Sequence, residues 1–297
     1  MFQLKLLILV TQRVLIIHNP AAQGGESTSV MNEYLDFLNQ RMVPYRVYTT
    51  NGDTDTDLLK SIISNEKFRA ISIVGGDGTI NLALNGLPEL ETPIHIIPAG
   101  SGNDFAKMVY EQKSTRSIFE LVLSENLKTK EVDVWKCNSK RFINGFGAGF
   151  DGAVANSMVG KKYWISSKIK YWVEIIRHIL FYQSQEYKIN GMPSKIFMMA
   201  VANGQVYGGD FKIAPQATIN DQLLDVVQVK KLWVPLRFFY LPFLQSGNHL
   251  DKNILDFYRD KELLIQSEFD IPAHIDGEPL LEKEYKIMHE GVLTVLC

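Results

Sequence analysis

The sequence predicts an α/β domain followed by an antiparallel β-sandwich domain. Up to about residue 130, short apolar runs alternate with segments of helical periodicity, which indicates βαβ units and a parallel sheet. After that point, many short apolar runs are separated mostly by turns, as in a sandwich or barrel. The polar stretch Ser124–Lys130 marks the boundary, so we expect domains at residues 1–130 and 131–297. The last strand can return to the first domain.

Four apolar runs in the first half predict buried strands that are joined by helices. The strands are expected at Val14–His18, Tyr45–Thr49, Ala70–Val74 and Ile94–Ile97. Helices are expected at Ser27–Leu38, at Asp55–Asn65 and from about Ile80. Because ligands of such sheets bind beyond the carboxyl ends of the strands, the loops after these strands form the candidate site.

Shorter apolar runs in the second half suit strands, and two longer stretches suit helices. The strands are expected at Glu131–Cys137, Arg141–Asn144, Glu186–Ile189, Lys195–Asn203, Leu224–Lys230, Leu263–Ser267, Phe269–Ile275, Tyr285–His289 and Val292–Leu296. The helices are expected at Ser166–Tyr182 and at about Pro235–Leu244.

The composition is that of an ordinary globular protein, and the net charge argues against a nucleic-acid partner. The chain has 297 residues, of which 46% are hydrophobic and 22% charged, and its formal net charge is −2. Such a charge provides no overall attraction to nucleic acid, so we expect no nucleic-acid partner. The two cysteines, Cys137 and Cys297, cannot form a disulfide framework, which fits a reducing compartment such as the cytoplasm.

The sequence has no pattern typical of a membrane span or a signal peptide. The first ten residues are apolar, but they are too few to cross a bilayer and lack a basic flank and a cleavage site. We expect an extra strand or a start-site extension there, and the role of this N-terminal run stays open.

Gly75–Thr79 reads GGDGT and directly follows the third predicted strand. The glycines carry no Cβ and so allow the backbone to approach a phosphate closely. Asp77 offers a carboxylate for a divalent cation, and Thr79 offers a hydroxyl at the start of a helix, where anions bind. A turn without a ligand is the simpler alternative, but a second glycine loop after the next strand favours phosphate binding.

Two further loops follow predicted strands and carry polar groups. Ile97–Lys107 reads IPAGSGNDFAK, in which Ser101 lies at the mouth of the loop and Asp104 caps a helix. Val14–Gly25 reads VLIIHNPAAQGG and brings Asn19 to the same edge of the sheet. By itself, that last run is equally well explained as an ordinary βα turn.

Together these motifs resemble the catalytic-domain family of diacylglycerol kinases, which includes bacterial soluble lipid kinases and the sphingosine kinases. The similar runs are HNP…GG, VGGDGTIN, IPAGSGNDFA, EVDVWKCN, RFINGFGAGFDG, VANGQVYGGDFKIAP, INDQLLDVV and HIDGEPL. They cover nearly the whole chain from about Val14 in the expected order. The resemblance implies a nucleotide-binding α/β domain like that of NAD kinases and phosphofructokinases, followed by a β-sandwich domain for the lipid substrate.

The resemblance also implies which residues bind ATP and Mg²⁺. The nucleotide site would be formed by Asn19, Thr50, Gly75, Gly76, Asp77, Gly78, Thr79, Asn81 and Ser101. Asp77 would also act in catalysis by helping to hold Mg-ATP. The Asn-Pro loop departs from the family because Gln23–Glu26 contains no basic residue, so phosphate contacts there would need backbone amides.

The family match points to Asp276-Gly277-Glu278 as the acids that serve the acceptor. A kinase must deprotonate the attacking hydroxyl and hold it in line with the γ-phosphorus, and a carboxylate can be the base. The match makes Glu278 the proton acceptor, assisted by Asp276. Without the glycine loops, a hairpin turn with exposed acids would be the default interpretation.

Asn220–Asp225 reads NDQLLD and resembles the structural Mg²⁺ site of the family. The implied ligands are the Asp221 carboxylate and the backbone carbonyls of Thr218 and Leu223, which are oxygen ligands of the kind that Mg²⁺ prefers. Gln222 replaces the usual glycine, so whether the site is intact stays open. A polar turn without metal is the alternative.

Two aromatic and basic stretches predict peripheral contact with an anionic membrane surface. Tyr163–Tyr182 reads YWISSKIKYWVEIIRHILFY and follows Lys161 and Lys162, and Lys230–Phe243 reads KKLWVPLRFFYLPF. Cationic, aromatic amphipathic helices suit such surfaces. A core-packed helix with a solvated basic edge is the alternative for each.

We therefore expect a cytoplasmic, peripherally membrane-associated lipid kinase of phospholipid biosynthesis that depends on ATP and Mg²⁺. The favoured reaction moves the γ-phosphoryl group to diacylglycerol and gives phosphatidic acid. One alternative is an NAD kinase, which shares GGDGT, and another is a non-catalytic lipid-binding regulatory protein of the same fold. The acceptor lipid and the oligomeric state, including a homodimer, stay open.

Overall fold

The computed structural model describes residues 13–52, 54–111, 113–124, 127–158, 167–208 and 211–297. The N-terminal apolar run, and the extra strand expected there, lie outside the described residues. The chain forms two compact units, the first made of residues up to Val134 together with Gly291–Cys297, and the second of Trp135–Glu290. Within the described ranges, no helix has the length and apolar character needed to cross a membrane.

The first unit is built on a parallel sheet. Its strands are β1 (Val14–His18), β2 (Tyr45–Thr49), β3 (Ala70–Gly75) and β4 (Ile94–Pro98). They lie in the order β2-β1-β3-β4, and Val295 near the end of the chain pairs in parallel with Ile94. Every residue of β1 and β3 is buried, because parallel strands are covered by helices on both faces.

Helices follow these strands and bring their N-termini to the carboxyl edge of the sheet. They are α1 (Ser27–Gln40), α2 (Asp55–Asn65), α3 (Asp77–Gly86), α4 (Asp104–Tyr110) and α5 (Thr115–Glu120), with 3₁₀ turns at Ala22–Gly25 and Leu121–Leu123. Because α3 begins only two residues after β3 ends, the intervening turn must be tight.

The second unit consists mainly of antiparallel strands. The strands are β5 (Thr129–Cys137), β6 (Lys140–Phe142), β7 (Gly145–Gly149), β8 (Gln185–Ile189), β9 (Met192–Ala202), β10 (Leu224–Lys230), β11 (Leu255–Asp260), β12 (Glu262–Ile275) and β13 (Glu278–Leu296). They follow the order β11-β10-β9-β7-β12-β13, and β8 pairs with β9 and β12. The helices are α6 (Phe150–Ser157), α7 (Ser167–Phe181) and α8 (Val234–Ser246). Large side chains such as Trp135, Phe146 and Tyr285 fill its core.

The predicted fold class is confirmed, but two pairs of predicted strands are single strands. Tyr285–His289 and Val292–Leu296 both belong to β13. Leu263–Ser267 and Phe269–Ile275 belong to β12, whose pairing with β13 shifts register between Gln266 and Ile271. Phe269 lies in this irregular segment and is 73% exposed. The polar residues there predicted a turn, whereas a bulge accommodates them without ending the strand.

Sequence periodicity did not reveal β7 and α6. Gly145–Gly149 contains three glycines, which weaken any strand pattern, yet all five residues are buried. One of these glycines, Gly147, allows the backbone of β7 to approach the side chains of Asp151 and His274 closely.

Candidate functional site

The polar residues predicted at the strand ends of the first unit lie beside one another. The Asn19 side-chain amide donates to the Thr79 hydroxyl at 3.3 Å, and the Asn19 backbone N–H donates to Val74 at 3.2 Å. The Thr50 N–H donates to the His18 carbonyl at 2.9 Å. The carboxyl ends of β1, β2 and β3 therefore present Asn19, Thr50 and the start of α3 at one edge.

The two glycine loops of this unit pack backbone against backbone. A Cβ added at Gly100 would lie 2.4 Å from the Cα of Gly76, and one added at Gly75 would lie 2.3 Å from the Thr79 hydroxyl oxygen. Asn103 closes the second loop, since its side chain accepts from the Gly100 N–H at 2.9 Å. Here the glycines are required by the packing of the loops themselves, whatever ligand the loops bind.

The Asp77 carboxylate holds the start of α4. It accepts hydrogen bonds from the backbone N–H groups of Asp104 and Phe105, each at 3.2 Å. A Cβ at Gly102 would lie 3.1 Å from one of its oxygens. Asp77 is only half-buried, and each carboxylate oxygen keeps further acceptor capacity that a cation could use.

The remaining predicted nucleotide residues differ in accessibility. Gly78 and Ser101 are exposed and accessible to a ligand. Asn81 is 7% exposed, and its side-chain oxygen accepts from the Asn85 amide at 3.2 Å within α3. The structure thus brings Ser101 and Gly78 to the surface of the strand-end region and engages the Asn81 side chain inside the helix.

His18, at the end of β1, was not predicted as a site residue. It is 6% exposed, and burial lowers the pKa of its imidazole. Its Nε2 atom is buried and has no hydrogen-bond partner among the residues that the structure describes. The only sequence signal was its position before Asn19 in the Asn-Pro loop.

In the second unit, Asp276 and Gly277 form the two-residue turn of the β12–β13 hairpin. Ile275 pairs with Glu278, and the φ angles of Asp276 and Gly277 are +48° and +88°. Two positive φ angles are typical of the hairpin turn that favours Asp-Gly. The hairpin turn that was the alternative interpretation is therefore present, and it carries the predicted acids.

The Asp276 carboxylate is held by backbone amides. It accepts from the N–H groups of Ile143, Asn144 and Gly145 at 3.1, 2.9 and 2.9 Å, and the Asp276 N–H donates to the Gly145 carbonyl at 2.8 Å. These bonds favour the charged carboxylate and anchor the turn to the start of β7.

Glu278 follows this turn, and its residue as a whole is exposed. Neighbouring protein nevertheless desolvates its carboxyl and raises the pKa, Lys140 acts in the opposite direction, and Asp276 adds to the rise. A carboxyl group with a raised pKa is more basic than an ordinary glutamate, and access from outside lets it accept a proton from a bound hydroxyl.

The buried His274 and the part-buried Asp151 form a pair next to the turn, and sequence reasoning assigned neither a role. The Nε2 atom of His274 lies 3.0 Å from an Asp151 carboxylate oxygen. The Gly277 N–H donates to Nδ1 of His274 at 3.3 Å. Burial lowers the pKa of His274, but the contact with Asp151 and the charge of Asp276 outweigh it, so the pKa is raised. The glycine-rich GFGAGFDG run was the signal that could have identified Asp151.

An apolar cavity adjoins this pair. Its walls include Phe150, Val154, Tyr171, Ile175, Leu241 and Leu244, which come from α6, α7 and α8. Asp151 and Tyr207 also line it, and the Tyr207 ring lies 5.9 Å from the His274 ring. The Tyr207 hydroxyl is buried without a hydrogen-bond partner among the described residues. The cavity thus combines apolar walls with a few polar groups, as lipid and small-molecule sites do.

The predicted metal turn contains a residue with a positive φ angle. Gln222 adopts a left-handed conformation with φ +56°, as the glycine at this position would. The Asp221 carboxylate accepts from the Leu223 N–H at 3.1 Å. Burial raises the pKa of Asp225, Arg259 lowers it and Asp221 raises it further, and one Asp225 carboxylate oxygen is buried without a hydrogen-bond partner in the described residues. Oxygen donors and an unpartnered carboxylate oxygen fit Mg²⁺.

The described residues contain no cluster of three or more His, Cys, Asp and Glu side chains that could hold a metal ion. A cation at the predicted turn would therefore depend on backbone carbonyls and water in addition to carboxylates.

Family models match both parts of the chain. The model described as the diacylglycerol kinase catalytic domain matches residues 13–137, and that described as the YegS C-terminal NAD kinase beta sandwich-like domain matches residues 145–296.

Two bacterial relatives match along most of the chain, and both are named diacylglycerol kinase. The Bacillus subtilis protein is 22% identical over 294 residues and covers 96% of each chain. The Staphylococcus saprophyticus protein is 22% identical over 277 residues, which is 90% of this chain and 89% of the relative.

Two crystal structures from Bacillus anthracis strain Sterne share the fold and cover 96% of both chains. One, described as a diacylglycerol kinase, aligns with a TM-score of 0.68 at 22% identity. The second aligns with a TM-score of 0.74 at 25% identity.

Proposed function

The chain belongs to the diacylglycerol kinase family of lipid kinases, and on that premise we propose that it converts diacylglycerol to phosphatidic acid with Mg-ATP as the phosphoryl donor. The observation that supports a lipid as the acceptor is the apolar cavity of the second unit. Asp151, a polar residue of its wall, contacts His274 next to the Asp276-Gly277-Glu278 turn. An NAD kinase would need a polar site for its acceptor, whereas this cavity is suited to an acyl chain.

Glu278 accepts the proton of the lipid hydroxyl in this proposal. Its raised pKa keeps it basic enough to deprotonate an alcohol in the transition state, and Asp276 holds the turn on which it sits. Phosphoryl transfer depends mostly on positioning and charge neutralisation, so an anchored base serves the chemistry well.

The nucleotide is bound at the strand ends of the first unit. Asn19, Thr50, Ser101 and the backbone of Gly75–Thr79 would contact ATP, and Asp77 would contact its magnesium ion. Bound Mg²⁺ neutralises charge on the transferred phosphoryl group. A structural Mg²⁺ would be held by the Asp221 carboxylate and the carbonyls of Thr218 and Leu223.

The acceptor can be identified by labelled ATP and a panel of lipid alcohols in mixed micelles. The panel contains diacylglycerol, phosphatidylglycerol, a sphingoid base, undecaprenol and, as a soluble acceptor, NAD. We expect label in phosphatidic acid, and loss of that product in Glu278→Gln. Labelled NADP, or no product with any lipid, would contradict the proposal.

We also propose that α7 and α8 contact an anionic membrane surface. The exposed residues of α7 include an apolar stripe at helical spacing, Ile169, Trp172, Val173, Ile176 and Leu180, while its acid Glu174 is buried. Trp233, just before α8, is 74% exposed, and Phe239 is 60% exposed. Arg237 of α8 donates to the carbonyls of Ile179 and Tyr182, so the two helices lie together. Lys161, Lys162 and Tyr163 of the predicted stretch lie outside the described residues.

Two observations favour a membrane as the partner of this surface: the surface is continuous with the apolar cavity, and basic residues lie beside it. The same two helices line the apolar cavity with their inner residues, Tyr171 and Leu244 among them. Exposed Lys231 lies beside Trp233, and exposed Arg177 lies beside the α7 stripe, which suits anionic headgroups.

Vesicle sedimentation tests this contact. Wild type should bind anionic vesicles more strongly than neutral ones, and both Trp233→Ser and Lys231→Glu should weaken binding. Phe269→Ser is a matched control because Phe269, on the bulge of β12, is equally exposed at 73%. Equal binding to both vesicle types that none of these changes affects would contradict the contact.

A further inference from the structure

We infer that His274, held by Asp151, is a positioning residue that fixes the Asp276-Gly277-Glu278 turn so that Glu278 meets the acceptor hydroxyl. This inference rests on the proposed function, because it concerns the same base.

His274 contacts the turn at Gly277, the residue of the turn with the greatest backbone freedom. Gly277, with φ +88°, immediately precedes Glu278, and its N–H donates to Nδ1 of His274 at 3.3 Å. Asp276 is already held by three backbone amides of the segment before β7. Because hydrogen bonds hold both turn residues in place, the backbone position of Glu278 is fixed as well.

Asp151 determines which nitrogen of His274 can accept. Because Nδ1 accepts from Gly277, it carries no proton, and the proton of the neutral ring is on Nε2. Nε2 lies 3.0 Å from an Asp151 carboxylate oxygen, and the negative charge of that group favours a proton on Nε2. The pair thus resembles the acid–histidine pairs of many active sites, in which the acid orients the histidine.

The surrounding backbone is shaped to hold this pair. A Cβ at Gly147 would lie 2.3 Å from the Asp151 carboxylate oxygen and 2.4 Å from Nε2 of His274. A Cβ at Gly152 would lie 2.1 Å from the Pro272 carbonyl, so α6 packs directly on β12. The two glycines leave space that the pair and the α6–β12 contact occupy.

Helix α6 also clamps the hairpin on both sides of the turn. The Asn156 amide donates to the carbonyls of Ala273 in β12 and Leu280 in β13, at 2.9 and 3.0 Å. Asp151 and Asn156 thus tie one helix to the two strands that carry the acids. The charged and titratable groups facing His274 are Asp151, Asp276 and Tyr207.

Two isosteric substitutions separate the contacts of His274. His274→Asn keeps an acceptor near the position of Nδ1 and loses the group that faces Asp151, whereas His274→Gln keeps a donor toward Asp151 and loses the acceptor for Gly277. We expect His274→Asn to retain most of kcat. For His274→Gln, we expect kcat to fall by about tenfold, which corresponds to ~1.4 kcal/mol, with KM for ATP unchanged.

His289→Asn and His289→Gln are the controls, because His289 lies on β13 and packs against Trp135 instead of the turn. Both should keep wild-type kcat, and thermal unfolding of every variant checks the fold. Equal kcat losses in His274→Asn and His274→Gln, or a change in KM alone, would overturn the inference.

A spectroscopic measurement keeps the inference separate from the proposed function. In wild-type protein labelled with ¹⁵N-histidine and held at a pH above the raised pKa of His274, we expect the His274 proton on Nε2 and none on Nδ1, and mixed tautomers in Asp151→Ala. If wild type phosphorylates no lipid, the proposed function fails, while the nitrogen spectrum still decides the geometry. A proton on Nδ1 in the wild type would overturn the inference.

Discussion

At the scale of single residues, the acids of the two motifs perform different tasks. Asp77 and Asp276 each accept hydrogen bonds from backbone amides and hold a loop in place. Among the described residues, no backbone amide holds the Glu278 carboxylate, whose pKa is raised, and the residue is exposed. Asp77 and Asp276 thus hold backbone in place, whereas the role in proton transfer is the one proposed for Glu278.

Glu278→Gln should lower kcat by about 10²–10⁴-fold, the usual contribution of a general base, and leave the free energy of unfolding nearly unchanged. A base works only when deprotonated, so wild-type kcat should fall as the pH drops through the raised pKa of Glu278. The acid limb of a kcat–pH profile should therefore lie above the ordinary range of a glutamate. A near wild-type kcat in this variant would remove Glu278 from the role of base.

Asp77 should affect stability and turnover separately. Asp77→Ala removes both hydrogen bonds to the start of α4 and should cost about 0.5–2 kcal/mol in the free energy of unfolding, as lost helix caps do. Asp77→Asn keeps a carbonyl acceptor and most of that stability, but an amide is a poor cation ligand, so turnover should still fall strongly.

Urea unfolding and ATP turnover measure these effects, with Asp57→Asn in the first turn of α2 as the control. If Asp77→Asn turned over ATP like the wild type, Asp77 would have only the capping role.

At the scale of elements, the glycines act through close approach. Gly76 and Gly100 let two loops touch along their backbones, and Gly147 leaves room for Asp151 and His274. In each case the missing Cβ admits a neighbour from a distant part of the sequence. The motif glycines are therefore needed for packing, in addition to the phosphate binding that the sequence predicts.

Gly100→Ala should lower the free energy of unfolding by roughly 1–3 kcal/mol, because its Cβ would meet the Cα of Gly76, and backbone yields less readily than a side chain. Chemical denaturation measures the change, and Ser101→Ala, on the same loop but exposed, should be nearly neutral. Equal stability of the two variants would show that the loops can separate without cost.

At the scale of the whole molecule, each compact unit contains its own set of predicted site residues. The order of elements was predictable because helices and strands differ in apolar period, and the unbroken runs of β1 and β3 follow from burial on both faces. The joined strand β12 and the short glycine-rich β7 were not predictable, since a bulge and a glycine strand leave no clear periodicity.

The sequence by itself determined the fold class and the family, because local periodicity and motifs are written in consecutive residues. It also identified the residues at the strand ends and the turn between β12 and β13. Only the tertiary structure decided that Asp276 is an anchor, that Asp151 and His274 meet, and that an apolar cavity adjoins them. Asp151 and His274 are more than a hundred residues apart in the printed sequence, and α6 packing against β12 brings them together. Contacts of that kind depend on how elements pack, which no local pattern records.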